Sequence, residues 1–254
     1  NQENNKLTLE IDQINNTIVN TIRRLIIEEV PTLAIEDVEF SKNSSALYDE
    51  VVAHRLGLIP LSTDLKSYNL ISECKCKGQG CTSCTVKLTL SAKGPCTVYA
   101  SQLKSTDSKI KPTYPNLPIV ILLEEQELEF EATAILNSGK DHMKFVPALA
   151  YYKGYPTFEI KPVDNPKEVE ESCPVNILKA EGKHIQVLDY EKCILCKNCQ
   201  KVSKDKIKIQ GSNDKFIFYL ENWGQLEHKE IFVQSIEKLD QKVEEFQKLI
   251  KKIK

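Results

Sequence analysis

Nine cysteines stand in this chain of 254 residues, and eight of them fall into two groups at spacings that metal chemistry uses. Cys74, Cys76, Cys81 and Cys84 are spaced C-x-C-x4-C-x2-C in a loop that also holds Gly78 and Gly80. Four thiolates on such a turn suit zinc, which takes sulfur ligands tetrahedrally at about 2.3 Å, and the two glycines let the backbone double back. No histidine lies nearby to leave a position open for water, so the expected role is structural, with a reduced or disulfide-paired surface loop as the alternative. The second group is Cys193, Cys196 and Cys199, spaced C-x2-C-x2-C, preceded at some distance by Cys173 and its following Pro174. Cys96 matches neither group and reads as a small buried apolar residue.

The second group resembles half of a bacterial two-cluster ferredoxin, in which each run of cysteines ends in Cys-Pro and that last cysteine ligates the other cluster. The resemblance implies one iron-sulfur cluster on Cys173, Cys193, Cys196 and Cys199, either 4Fe-4S on all four or 3Fe-4S on the last three. The twin cluster's ligand positions hold Val163, Pro166 and Val169, and the fourth position of the surviving run holds Ser203. One cluster at most remains. Zinc is the alternative occupant of the same thiolates. A lone cluster has no second centre to receive its electrons, which favours a structural or sensing role. The segment carries few large apolar residues, so ligation is expected to supply much of its folding energy.

Elements on either side must position these loops. Leu7, Leu9 and Ile11 alternate with polar residues as a half-buried strand does, and Ile14, Ile18, Ile22 and Leu25 then recur at helical steps. A first helix is expected over about residues 15–29, stopped before Pro31. Leu33 to Phe40 reads as a strand, Ser41 to Ser45 as a turn, and the stretch from Ala46 to Gly57 as a short helix. Strands are expected at Thr85 to Ser91, Thr97 to Leu103, Gln126 to Leu136 and Ala148 to Ile160. Lys161 to Glu171 reads as a linker into the second cysteine group, and Phe216 to Leu220 as a strand apolar on both faces. In a closing helix Phe232, Ile236, Leu239, Val243, Phe246, Ile250 and Ile253 recur at steps of four and three, a seam of heptad type. Packing inside its own domain is one way to cover that seam; an intermolecular contact is the one expected here. The fold class is α+β. A discontinuous dimerisation domain is expected from residues 1–40, 147–163 and 211–254, an antiparallel insert domain with the four-cysteine loop from 41–146, and a small ferredoxin-like Fe-S module from 164–210.

Composition excludes several classes. Hydrophobic residues at 41% and charged residues at 28% are globular values. The formal net charge of -2 supplies no positive field for nucleic acid, so no direct sequence-specific DNA contact is expected. No apolar stretch approaches bilayer length and Asn1 to Leu9 lacks a signal-peptide pattern, which points to a cytoplasmic protein without membrane contact. Neither a phosphate loop nor a nucleophile-base pair occurs at a recognisable spacing, and Asp141, His142 and Lys144 read as a solvent-facing or interface loop.

Three stretches, TIRRLIIEEVPTLAIEDVEF, NSSALYDEVVAHRLGLIPL and GKDHMKFVPALAYY, resemble the D subunit of archaeal DNA-directed RNA polymerase. Its relatives are the third subunit of eukaryotic RNA polymerase II and the amino-terminal domain of the bacterial alpha subunit. The resemblance implies an assembly role without catalytic residues in this chain, nucleotidyltransferase activity belonging to the complex. It implies a heterodimer with the small subunit L, as a platform for the two large catalytic subunits beside other small subunits. The partner interface would be a four-helix contact through Ile22, Leu25, Ile236, Leu239, Val243 and Phe246. Arg23 and Arg24, like His54 with Arg55, are candidates for contacts to the large subunits, because guanidinium forks suit buried interfaces. A ferredoxin-like insertion occurs in a subset of this family at the place of Cys173 to Lys208, and the zinc loop resembles that of the eukaryotic relative. The competing function, a ferredoxin-type electron-transfer subunit of a redox complex, rests on the second cysteine group alone.

Overall fold

The computed structural model describes residues 2, 3 and 5–253; residues 1, 4 and 254, which the expected boundaries 1–40 and 211–254 take in, lie outside the described residues. In chain order the elements are β1 (Gln2–Glu3), β2 (Lys6–Ile11), α1 (Asn16–Glu28), β3 (Thr32–Asn43), α2 (Asp49–Gly57), β4 (Thr85–Lys93), β5 (Cys96–Tyr99), β6 (Lys104–Ser105), β7 (Pro118–Leu122), β8 (Glu127–Asn137) and β9 (Ala148–Ile160). After them come α3 (Pro166–Glu171), β10 (Leu178–Glu181), β11 (His184–Val187), α4 (Asn198–Val202), β12 (Ile207–Asn222) and α5 (His228–Ile253). The α+β class expected from the sequence is what the chain adopts. No helix among the described residues is long and apolar enough to cross a membrane.

The chain forms two compact units, and the larger consists mainly of residues 22–150 and 220–253. Here β3, β8, β4 and β6 make an antiparallel sheet in that order. Alternate residues of β4 and β8 are buried, as a sheet with one face on a core requires. Leu33 stands opposite Leu136, Leu88 opposite Ala132, and both Phe40 and Leu90 opposite Phe130. Val52 and Leu56 of α2, with Ile59, Leu61, Val98 and Ile119, complete the same core. The strand β7 was not expected: its run PIVIL lacks alternation because Ile119, Val120 and Leu122 are all buried while it pairs with β5.

Below this core the chain approaches the first cysteine group through a polar clamp. Asp64 accepts hydrogen bonds from the Ser67 hydroxyl at 2.8 Å, the Lys66 amide at 3.0 Å and the Lys109 ammonium at 3.2 Å. Those donors, Ser67 first, hold its carboxyl down at about 2. Tyr68 donates to Asp107 at 2.7 Å, and burial with that bond pushes its phenol up to about 12.

The second unit consists mainly of residues 7–21 and 151–219. Strands β2, β12 and β9 are neighbours in a sheet ordered β1-β2-β12-β9, so segments far apart in sequence share one sheet. The last helix, however, groups with residues 22–150, whereas the expected boundaries joined it to the first strand. Tyr152 packs edge-on against Phe216 at 5.8 Å and parallel to Phe218 at 6.4 Å. Two glycines let β9 and β12 approach: a Cβ on Gly154 would lie 2.7 Å from the Ser212 carbonyl oxygen and 3.0 Å from the Gly211 Cα. β12 runs sixteen residues and passes Gly211 to Asp214 without a break.

The cysteine-bearing segment between these strands differs from expectation in two ways. Pro166 starts helix α3 inside the presumed linker, since proline's fixed φ and missing N–H suit a first helical position. The segment also has an apolar core of its own, in which Ile177, Leu178, Ile185, Ile207 and Ile209 are buried with Val163 and Val169. Five buried Ile and Leu side chains contribute roughly 8–15 kcal/mol before entropy, comparable to the about 10–16 kcal/mol of a structural metal. Ligation is therefore not the module's only source of folding energy.

Two outcomes follow from these contacts. Gly154→Ala should destabilise the protein by about 1–3 kcal/mol, because the clashing atoms are backbone, and differential scanning calorimetry should show a lowered midpoint. Asp64 titrates below its ordinary 3.8 when folded, so its contribution is present above about pH 4 and lost as pH falls toward about 2. Urea midpoints of wild type and Asp64→Asn should accordingly differ most above pH 4 and converge near pH 2.

Candidate metal centres

The first cysteine group closes on itself. The Asn69 amide donates to the Ser83 carbonyl at 2.9 Å, tying the entry of the loop to its exit at β4. Lys77, Gly78 and Gly80 take left-handed backbone conformations that reverse the chain between the cysteine pairs. All four sulfurs lie within 4.8 Å of one another, with Cys74 and Cys81 at 3.6 Å, Cys76 and Cys84 at 3.6 Å, and Cys81 and Cys84 at 3.8 Å. A tetrahedron of sulfurs about 2.3 Å from a central ion has edges of about 3.8 Å. The spacings match that figure and are far longer than a disulfide bond, so the alternative of a disulfide-paired loop does not describe this site. As thiols the four are unequal. Cys76 is held down at about 6, first by its bond with Cys74 and then by Cys84 and the amides of Gly78 and Gly80, whereas burial pushes Cys84 up to about 12. A coordinated cation resolves the inequality, since a metal-bound thiol is deprotonated outright. The group can bind one four-coordinate metal ion.

The second group is built differently. Cys173 follows α3, Cys199 lies in α4, and both are buried with Cys193 in the module's apolar core, while Cys196 is exposed. Burial raises the Cys193 thiol and lifts Cys199 to about 11. Leu195 and Lys197, flanking Cys196, both have positive φ, at 56° and 60°. A left-handed leucine is costly and persists only where its surroundings impose it. The Leu195 amide lies 3.5 Å from the Cys193 sulfur. Among the described residues this set does not close to the one-ion spacing of the first group.

The lost twin is accounted for. Val163 and Val169 fill core positions, Pro166 opens α3, and Ser203 is buried with its hydroxyl donating to the Gln200 carbonyl and accepting from the Ile207 amide at 3.0 Å. Lys153 of β9 was not legible as a site residue, yet its ammonium reaches the Cys193 carbonyl at 2.8 Å. Cys96 is half-buried against the larger core. The Asp141 to Lys144 stretch is structural: His142 accepts from the Lys144 amide, and the Lys144 ammonium donates to the Ile35 carbonyl at 2.9 Å.

The residues expected at a partner interface divide by exposure. Leu25 is buried within this chain, and Ile22, Arg23 and Leu239 are half-buried. Ile236, Val243 and Phe246 are exposed, Phe246 to 64%, and every described side chain from Asp240 onward in α5 faces solvent. Arg24 is exposed and pairs with Glu28 one turn on. Arg55, also exposed, donates to the Pro118 carbonyl.

Residues 34–148 match the family model of the RNA polymerase Rpb3/RpoA insert domain. The DNA-directed RNA polymerase subunit Rpo3 of Methanosphaera stadtmanae is 38% identical, covering 96% of this chain and 94% of that protein. The Rpo3 of Methanosarcina mazei is 40% identical over 92% of this chain and 90% of its own length. That of Archaeoglobus fulgidus is 33% identical over 93% and 90%.

Proposed function

The chain belongs to the family of the archaeal DNA-directed RNA polymerase subunit Rpo3, and on that premise we propose that it pairs with the small subunit L to form the platform on which the two large catalytic subunits and the other small subunits assemble. One observation carries the pairing: the second half of α5 is helical and solvent-exposed on every side while keeping Val243, Phe246, Ile250 and Ile253 on its seam. A contiguous apolar face of that kind marks an interaction site. The first turns of α5 are anchored, with Ile231 and Ser235 buried, so the exposed half projects from a fixed base, and within that half Lys242 pairs with Glu29 at 2.9 Å. Ile22 of α1 and Ile236 extend the same contact. Leu25 supports it from the chain's own core. Arg23, Arg24, His54 and Arg55 are the proposed contacts to the large subunits. The chain contributes no catalytic residue; polymerisation belongs to the complex. The electron-transfer alternative gains nothing from relatives that are polymerase subunits by name.

The two cysteine groups stabilise this platform. Zinc is the proposed ion of Cys74, Cys76, Cys81 and Cys84, supported by the sulfur spacings, and its role is to close the loop between Asn69 and β4. One iron-sulfur cluster, 4Fe-4S or 3Fe-4S, is proposed on Cys173, Cys193, Cys196 and Cys199, supported by the gathering of Cys173, Cys193 and Cys199 in one apolar core and by the left-handed residues around Cys196. When bound, the cluster supplies a cross-link between α3, the loop after β11 and α4. The protein's own residues bury three of the ligands and leave the Cys196 corner open to solvent.

Replacing Leu239 and Phe246 together by alanine should weaken the heterodimer at least about tenfold by calorimetry, since truncating a side chain that becomes buried costs about 2–5 kcal/mol. Circular dichroism should be unchanged, and an unaltered affinity would place the seam outside the interface. Purified anaerobically, the chain should contain zinc together with iron and sulfide in cluster-like ratio. Cys196→Ser should lower the iron and sulfide content without lowering zinc or abolishing the heterodimer, and loss of the heterodimer would show that the module and the pairing surface are one unit.

A further inference from the structure

We propose that Lys153 is a positioning residue for the second metal centre: from β9 it clamps the loop that carries Cys193 and sets a fixed positive charge beside the ligand set. The inference rests on the reading that Cys173, Cys193, Cys196 and Cys199 hold an iron-sulfur cluster. Lys153 is half-buried, and its ammonium donates to the carbonyl oxygens of Glu191 and of Cys193, the latter at 2.8 Å, while lying 5.5 Å from the centre of the Tyr219 ring. Lysine holds its flexible stem in one place only where several contacts repay the lost rotamer freedom. Among the described residues no carboxylate lies within ion-pair distance of it, so its charge is directed at neutral carbonyls and an aromatic face.

The same loop is held to the sheet at two further points. Tyr190 stands edge-on to Phe158 of β9 at 5.4 Å, and Leu195 comes so close to β12 that a Cβ on Gly211 would lie 3.3 Å from its Cδ1. Aromatic and aliphatic contacts fix the loop's place, and Lys153 alone among the three brings charge. Thiolates around an iron-sulfur core make an anionic centre, and reduction adds a further negative charge. A cation held one residue's carbonyl away from a ligand stabilises the reduced form more than the oxidised one and resists loss of the ligand loop, which is how outer contacts tune such centres.

The test uses the full chain, purified anaerobically, as wild type, Lys153→Met and Lys153→Arg. Methionine keeps an unbranched stem beside Tyr219 while removing charge and donors; arginine keeps both. Lys153→Met should titrate at a lower reduction potential than wild type, followed by visible absorption, and should release iron to a ferrous chelator about tenfold faster. Lys153→Arg should restore the potential. A Lys153→Met protein with wild-type potential and wild-type release overturns the proposal, and faster release at an unchanged potential overturns the assignment of charge. Wild-type protein without iron and sulfide would instead remove the cluster reading itself, a result visible before any variant is compared.

Discussion

The close approach of β9 and β12 at Gly154 and Gly211 is the constraint from which the smaller unit takes its form. Gly154 has no room for a side chain, since a Cβ there would lie 2.7 Å from the Ser212 carbonyl oxygen, and the bare backbone at both glycines lets the strands lie as neighbours in the sheet. Tyr152, Phe216 and Phe218 then pack along them, and Tyr151 stacks on Tyr219 at 4.8 Å. The cysteine-bearing segment leaves from the end of β9 and returns at the start of β12, where the Lys161 amide donates to the Lys206 carbonyl at 3.0 Å and Lys206 pairs with Asp164. Its cysteine-bearing loops inherit their position from these two strands.

The two cysteine groups sit in opposite surroundings. The loop at Cys74 to Cys84 brings four sulfurs to single-ion spacing on a short turn whose ends are hydrogen-bonded together. The second group spreads its cysteines over three pieces of chain and embeds three of them among isoleucines and valines. There the burial that raises Cys193 and Cys199 also keeps water away, so the protein around the site, more than the loop itself, governs its chemistry.

Much of the fold was legible because period is a local property. Ala148 to Ile160 was readable to the residue, the helix at Asn16–Glu28 to within a residue at each end, and both cysteine groups declared themselves by spacing. What escaped was non-local or inverted a local sign. Pro166 fell in an expected linker and is a helix start, and PIVIL hid its strand because Ile119, Val120 and Leu122 are buried without alternating. The module's own core was missed because Ile177, Ile185 and Ile207 are scattered through polar sequence and meet only in space. Lys153 could not be seen from the sequence at all, since nothing near it hints at a carbonyl 40 residues away.

The apolar half of α5 has a consequence for the free chain whatever eventually covers it. Val243, Phe246, Ile250 and Ile253 gain no burial within the chain itself, so its own core is closed while this surface stays open. An open apolar face of this kind favours self-association that rises with concentration, and any partner that covers the face suppresses it.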